Sequence, residues 1–302
     1  MKHGYYLRMY KQYVAQRALG AYIASVSQPE ALFDLSFAAQ TTQPGKKDRK
    51  VLNKRLQWQI DNPTRGLRFV KIDLRTAQLY AFVDASFANN KDSSSQIGHV
   101  IVLADAQNNA NILHWSSTKC KRVARSVLAS ETYAMANGFD VAAVIKSTLT
   151  QLLHLSEPIP LVLCTDSKSL YECLVKLGTT REKRLMIDLM CLRQAYERQE
   201  ITEVRWINGN TNPADAMTKS KPCRALQELI DMNKLRIDVD GWVERPSTKR
   251  NPTSKNVRFA TPILHPNSHT SFYLTILLHS FAISLRYQIV CHSLIFPLFP
   301  FF

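Results

Sequence analysis

The sequence predicts an α/β fold: a five-stranded mixed sheet, three antiparallel strands followed by parallel additions, flanked by helices. Three observations predict it. Short segments near 78–85, 97–103 and 111–116 carry strand-forming residues and are joined by polar turns, as in an antiparallel meander. Leu161–Thr165 (LVLCT) is an almost unbroken apolar run, as a parallel strand covered on both faces should be. Segments with helical periodicity separate the later strands.

Residues 1–40 read as helical pieces. Tyr13, Leu19, Ile23 and Val26 recur at near-helical spacing until Pro29 breaks the pattern, and Phe33, Leu35 and Phe37 follow. Residues 41–66 open with TTQPGKKDRKVLNKR, which is polar, basic and marked by a Pro-Gly turn signal, and predict a linker. Gln78–Ala85 alternates with period two around Tyr80, Phe82 and Asp84. Asn89–Gln96 and Asp105–Ala110 read as turns, Ile97–Leu103 and Asn111–Ser116 as strands. A long helix is predicted over 127–153, with Val127, Leu128, Tyr133, Ala134, Phe139 and Val144 at core positions and Pro158 and Pro160 beyond it. After the apolar strand, Asp166 or Ser167 can cap a helix that Gly178 ends. Arg181–Gln199 reads as a helix and Thr202–Ile207 as the fifth strand. A last helix is expected from about Ala214 to Met232.

Charge is unevenly spread over the 302 residues, whose net charge is +15. Residues 1–76 hold 14 Lys+Arg against 5 Asp+Glu, residues 77–240 hold 19 against 18, and residues 241–302 hold 6 against 1. A nearly neutral body with basic flanks suits a polyanion partner, although such flanks are also common solvated tails. The composition, 45% hydrophobic, excludes a fully disordered chain. Residues 67–240 form the expected domain, and 241–302 a basic, then apolar tail outside the fold. The densest apolar run of that tail, about Phe272–Leu285, is shorter than the roughly 20 residues of a spanning helix, so no stable membrane insertion is expected. The N-terminus lacks an apolar signal core, and the six cysteines form no C-x-x-C pair. Reduced, mostly buried thiols in an intracellular, non-secreted protein (cytoplasm or nucleus) are expected.

Four carboxylates stand out by position. Asp84 and Asp166 fall at the C-terminal ends of two strands that can be neighbours in the sheet. Glu131 lies early in the long helix, and Asp215 follows the NGNTNP loop. Strand ends and adjoining helix starts are where sites form in open α/β sheets. Crowded carboxylates repel unless a cation neutralises them. Mg²⁺, a hard ion bound through oxygen, is the usual choice beside phosphates. Taken singly, each acid is more simply a cap or turn residue; their joint placement is the signal.

The blocks YAFVDASFANN, KCKRVARSVLASETYAMANGFD, VLCTDSKSLYE and VRWINGNTNPADAMTK resemble, in order and from about Leu79 to Leu235, the ribonuclease H domain of copia-type retrotransposon polyproteins, particularly fungal ones. The resemblance implies a ribonuclease H-like fold and endonucleolytic cleavage of the RNA strand of RNA–DNA hybrids. It also implies two Mg²⁺ ions (Mn²⁺ as substitute) held by Asp84, Glu131, Asp166 and Asp215 as metal ligands and catalytic residues. Upstream, GAYIASVSQPEALFDLSFAAQ resembles the end of the same polyprotein's reverse transcriptase, which makes residues 1–40 a remnant of its thumb and connection. No Tyr-x-Asp-Asp motif occurs, so no polymerase activity is expected, and the missing polymerase portion is an expected partner. Cellular ribonucleases H carry a His in the loop before the last acid; Asn208–Pro213 has none.

Candidate nucleic-acid contacts are Ser86, Asn89 and Ser167, chosen for adjacency to the acids, and the basic run Lys119, Lys121, Arg122 and Arg125. Trp115, Trp206, His99 and His114 lie in strands and read as structural. Two other readings stand beside the nuclease: a catalytically silent nucleic-acid-binding remnant, and a transposase or integrase on the same fold.

Overall fold

A six-stranded sheet in the order β3-β2-β1-β4-β5-β6 organises the molecule. The computed structural model describes residues 2–175 and 182–244. The predicted helix stop at Gly178 and the tail beyond 244 lie outside the described residues, in which no helix is long and apolar enough to cross a membrane. Strands β1 (Gln78–Ser86), β2 (Gln96–Ala104) and β3 (Ala110–Lys119) form the antiparallel meander. Strands β4 (Leu161–Thr165) and β5 (Glu203–Ile207) add in parallel on the other side of β1. Among the described residues, those up to Lys146 and those from Ile159 to Glu244 belong to one compact unit.

The alternation that predicted β1 has a simple cause. Tyr80 and Phe82 point into one buried cluster with Val100, Val162, Cys164 and Met217. β1 is buried along nearly its whole length, as a central strand must be. The β1–β4 register pairs Phe82 with Cys164. Continued by two residues, that register sets Asp84 level with Asp166.

Four expectations are corrected. The sheet has a sixth strand, β6 (Val239–Glu244), antiparallel to β5. Its Asp, Gly and Glu residues weaken the strand signal. Within the predicted linker, α3 (Lys46–Asp61) is a helix. The Pro-Gly signal marks its start, where Asp48 reaches back to accept from the Gly45 N–H at 2.9 Å. Its apolar stripe is narrow, essentially Leu52 and Leu56, and the lysines around it hide the period. The predicted helix over 214–232 is two pieces, a 3₁₀ turn (Pro213–Met217) and α7 (Arg224–Met232). Pro222 separates them, because proline lacks the donor and biases its predecessor away from helix. Finally, Val127 and Val144 on α4 (Val127–Leu152) are exposed, whereas Tyr133 and Ala134 are buried as predicted; Ala129, Met135 and Ala142 fill the rest of that face.

The helices α1 (Lys2–Val26) and α2 (Leu32–Ala39) join α3 in a second cluster around Tyr13, Leu35 and Leu52. They are bonded to the sheet. The Trp115 indole N–H donates to the Ala24 carbonyl at 3.0 Å. The fully buried Gln96 amide donates to Ser36 Oγ at 3.1 Å and Ser117 Oγ at 2.9 Å. Helices α5 (Lys168–Val175) and α6 (Lys183–Glu197) complete the fold. Trp206 is only half-buried, with the Tyr171 ring and the Lys168 ammonium against it. Of the described cysteines, Cys120 and Cys164 are buried and Cys191 is exposed, so fewer are buried than expected; all are free.

Gly98 positions the site. It pairs with Asp84 across β1–β2, and a Cβ there would lie 2.3 Å from Met217 Cβ and 3.1 Å from Thr218 Cγ2. Only glycine lets the turn carrying Asp215 lie this close to the sheet. Gly98→Ala should therefore destabilise the fold by about 1–3 kcal/mol through overpacking. A lower urea midpoint at unchanged m-value would show it.

Candidate active site

Asp84 is the centre of the site. It lies near the end of β1 and is 2% exposed. Carboxylate oxygens of Asp84, Asp166 and Asp215 come within 4.8 Å of one another. Asp166 follows β4, where the parallel register places it beside Asp84. Asp215 sits in the 3₁₀ turn that Gly98 admits. Asn212 builds that turn. Fully buried, it donates to the Val83 carbonyl at 3.0 Å and accepts from the Ala214 N–H at 3.1 Å.

Glu131 comes from the second turn of α4. Ser126 caps that helix by accepting from the Ala129 N–H at 3.1 Å. The Glu131 carboxylate is buried and accepts from the Ala85 backbone N–H, while its Oε2 has no partner. It belongs electrostatically with Asp84 and Asp166, although it is not one of the three acids whose oxygens are mutually within 4.8 Å.

Burying like charges has a visible cost. Burial, then the neighbouring Asp84 and Asp166, push the Glu131 carboxyl well above its ordinary range. Burial raises Asp84, with Asp215 adding to it and Lys219 opposing. Asp166 is raised to about 6 by burial, Asp84 and Asp215. Two neighbours offset part of this. The Thr218 hydroxyl, itself buried, donates to Asp84 Oδ2. The Lys219 ammonium lies 2.6 Å from Asp215 Oδ1 and 3.5 Å from Asp84 Oδ2.

Neither Thr218 nor Lys219 was picked from the sequence. The available signal was the four-residue spacing from Asp215 to Lys219, which sets the two on one side of a helical turn. Gly209 was also missed. A Cβ there would meet Asp166 Oδ2 at 3.1 Å, so the glycine of the NGNTNP loop lies against Asp166 while Asn212 holds the turn of Asp215. Asn208 instead accepts from the Asn210 N–H at 3.0 Å.

The other sequence candidates are placed as follows. Ser86 is half-buried at the end of β1, and Asn89 is exposed in the next turn. Ser167 caps α5, its Oγ accepting from the Leu170 N–H at 3.4 Å. Lys119 is paired with Asp92. Arg122 is paired with Asp188 at 2.6 Å and lies over the Tyr133 ring. Lys121 and Arg125 are exposed. His99 is buried and stacked on His114. Burial holds it down at about 4, so it is neutral at pH 7 and structural.

The raised Asp166 value gives a signed prediction. Its folded value lies above its unfolded one, so the stability tied to its proton is present below about pH 4. That stability is lost as pH rises through about 6. At pH 8 without divalent cations the ionised group costs about 3 kcal/mol at most. Asp166→Asn should raise the urea midpoint at pH 8 and change it little at pH 4. Lys219→Met should do the opposite at pH 8, lowering the midpoint, because it removes the internal counter-charge.

No family model matches the chain. It is 27% identical over 188 residues to a retrovirus-related Pol polyprotein from transposon RE1 of Arabidopsis thaliana, covering 62% of this chain and 12% of the relative. It is 26% identical over 183 residues to a Ty1-H Gag-Pol polyprotein of Saccharomyces cerevisiae, covering 59% and 9%. The chain thus spans about an eighth or less of these relatives. Similar solved structures include ribonuclease H1 of Halobacterium salinarum, at 16% identity, TM-score 0.36, and coverage of 50% of this chain and 98% of that one. Another is LC11 ribonuclease H1 in complex with an RNA/DNA hybrid, at 14% identity, TM-score 0.34, and coverage of 51% and 97%. By strand order and registers the fold is ribonuclease H-like, and over the matched stretch the chain is similar to retrotransposon Pol polyproteins.

Proposed function

We propose that the chain cleaves the RNA strand of RNA–DNA hybrids endonucleolytically, as a piece of a copia-type retrotransposon polyprotein without polymerase activity. The observation that carries this is the convergence of Asp84, Asp166 and Asp215 beside the unpartnered, buried Glu131 Oε2. An all-oxygen, all-carboxylate donor set fits hard divalent cations, with two Mg²⁺ ions proposed and Mn²⁺ able to substitute. Such ions supply charge neutralisation, activation of water and stabilisation of the leaving oxygen.

The chain's own residues do the rest. Asp84, Glu131, Asp166 and Asp215 would hold the ions, with Asp84 at the centre of the set. Thr218 and Lys219 fix the orientations of Asp84 and Asp215. The loop before Asp215 offers the amides of Asn208, Asn210 and Asn212 and the Thr211 hydroxyl, all too weakly basic to take a proton near pH 7, so no general base acts from that position. Ser86, Asn89 and Ser167 border the acids and read 2′-hydroxyls in the wide minor groove. Lys121 and Arg125, exposed, contact phosphates of the DNA strand, with Lys119 and Arg122 contributing once released from Asp92 and Asp188.

Purified chain with Mg²⁺ or Mn²⁺ should cut the RNA of an end-labelled hybrid and leave DNA duplex intact. Asp84→Asn should reduce cleavage below detection while hybrid binding persists. Wild type that binds hybrid but never cuts it would select the silent remnant instead.

A further inference from the structure

The basic segment at 46–55 is a helix, and the helix has a sided charge distribution that the nuclease site does not use. At 3.6 residues per turn, Lys46, Lys50, Lys54 and Lys47 fall within an arc of about 100°, and Trp58 continues it. All four lysines are exposed, and none forms an ion pair among the described residues. The opposite side carries the buried Leu52 and Gln59, and Gln59 donates to the Gly20 carbonyl at 3.1 Å. That side fixes the helix against α1, so the lysine side cannot turn inward.

The acids do not cancel this charge. Asp48 lies on another side and pairs with Lys91 at 2.7 Å. Asp61, at the C-terminal end of the lysine face, accepts from the Gln57 amide at 2.8 Å and keeps its charge, so the face sets four ammonium groups against one carboxylate. Arg55 is held by Asp34 and lies 5.0 Å from the Trp58 ring centroid.

The stripe also leads somewhere. Trp58 and Arg55 wall a cleft of about 200 Å³ whose other side includes Lys219, Lys221 and Pro222. Lys219 is the residue whose ammonium reaches Asp84 and Asp215. One end of the lysine stripe therefore adjoins the acidic cluster through a single shared side chain. From Lys46 to Lys54 the helix rises by eight steps, about 12 Å, which matches three to four phosphates of one strand at ~3.4 Å each.

We propose that α3 is a docking helix for the nucleic-acid duplex: Lys46, Lys47, Lys50 and Lys54 hold backbone phosphates of the hybrid beyond the cleavage point, and Trp58 stacks where the strand enters the cleft. The inference rests on the hybrid as substrate. Trp58 supplies a sequence-tolerant aromatic surface, and the lysines supply a salt-sensitive, sequence-independent hold.

The test is binding of a 25-base-pair fluorescent RNA–DNA hybrid to the full chain without divalent cations, followed by anisotropy from 50 to 300 mM salt. Replacing Lys46, Lys47, Lys50 and Lys54 together by Gln should weaken affinity about tenfold or more at 100 mM. The slope of log affinity against log salt should become shallower by about three to four. Trp58→Ala should weaken binding with the slope unchanged. Circular dichroism and the urea midpoint of the quadruple variant should match wild type, since all four side chains are exposed. Wild-type binding with an unaltered slope in the quadruple variant overturns the α3 assignment and leaves the nuclease reading standing. No hybrid binding by wild type overturns both. Equal, stripe-dependent capture of polyglutamate would mark α3 as a general polyanion face and overturn its assignment to nucleic acid.

Discussion

Repulsion among buried carboxylates is the constraint around which this structure is arranged. Asp84 and Glu131 are almost fully buried, and Asp166 and Asp215 stand beside them. A carboxylate taken out of water loses solvation that its neighbours here make harder to replace. The fold answers with three local devices: the Ala85 N–H on Glu131, the Thr218 hydroxyl on Asp84, and the Lys219 ammonium between Asp84 and Asp215. The Thr218 and Lys219 contacts depend on the close approach that Gly98 permits under the Asp215 turn, and Gly209 lies against Asp166 in the same way. The glycines and the acids are parts of one arrangement, in which the missing Cβ atoms make room for the charges.

That arrangement needs a rigid base, and the N-terminal helices supply part of it. Gln96, on β2, is joined to Ser36 on α2 and to Ser117 on β3, and Ser117 Oγ donates to the Met217 carbonyl at 2.5 Å. A polar chain thus runs from α2, through two strands, to the turn that carries Asp215. Fully satisfied buried networks of this kind fix one geometry, because any slip leaves a donor unpaired in low dielectric. The ion pair of Arg65 with Glu30 at 2.7 Å and Asp231 at 2.8 Å ties the same helices to α7. The α1–α3 segment is therefore bonded to the sheet that holds the acids.

How much of this was legible in the sequence follows from the range of each interaction. The strand alternation at Tyr80–Asp84 and the apolar run at Leu161–Thr165 are local patterns with direct structural causes, so the sheet centre and the pairing of Asp84 with Asp166 could be read. α3 could not be, because its buried face is only two leucines wide and its lysines dominate the composition. β6 was lost because an edge strand is stabilised by pairing with β5 more than by its own residues. Thr218 and Lys219 act through space on an acid more than a hundred positions earlier, and the four-residue spacing from Asp215 to Lys219 marks only the local half of that contact. The break between Met217 and Arg224 was marked, by Pro222; the helical pattern on either side outweighed it.

The same physics explains why the site is poised and not merely stable. Each of these carboxylates, when ionised without a bound cation, opposes folding, and the core of Phe82, Val100, Leu163 and Met135 must offset that opposition. A cluster relaxed by more internal cations would be easier to fold, yet it would have less residual negative charge with which to hold a divalent ion. The chain stops short of neutrality. It places one ammonium against two of four carboxylates, and that ammonium sits on a half-exposed side chain at the wall of an open cleft. A lysine in that position can withdraw toward solvent or toward an arriving phosphate without disturbing the sheet, whereas an arginine locked in a bidentate pair would lose more on leaving. Lys219 contacts Asp215 and Asp84 and acts on Asp166 and Glu131 only through space, so its neutralisation is weakest on that side of the cluster.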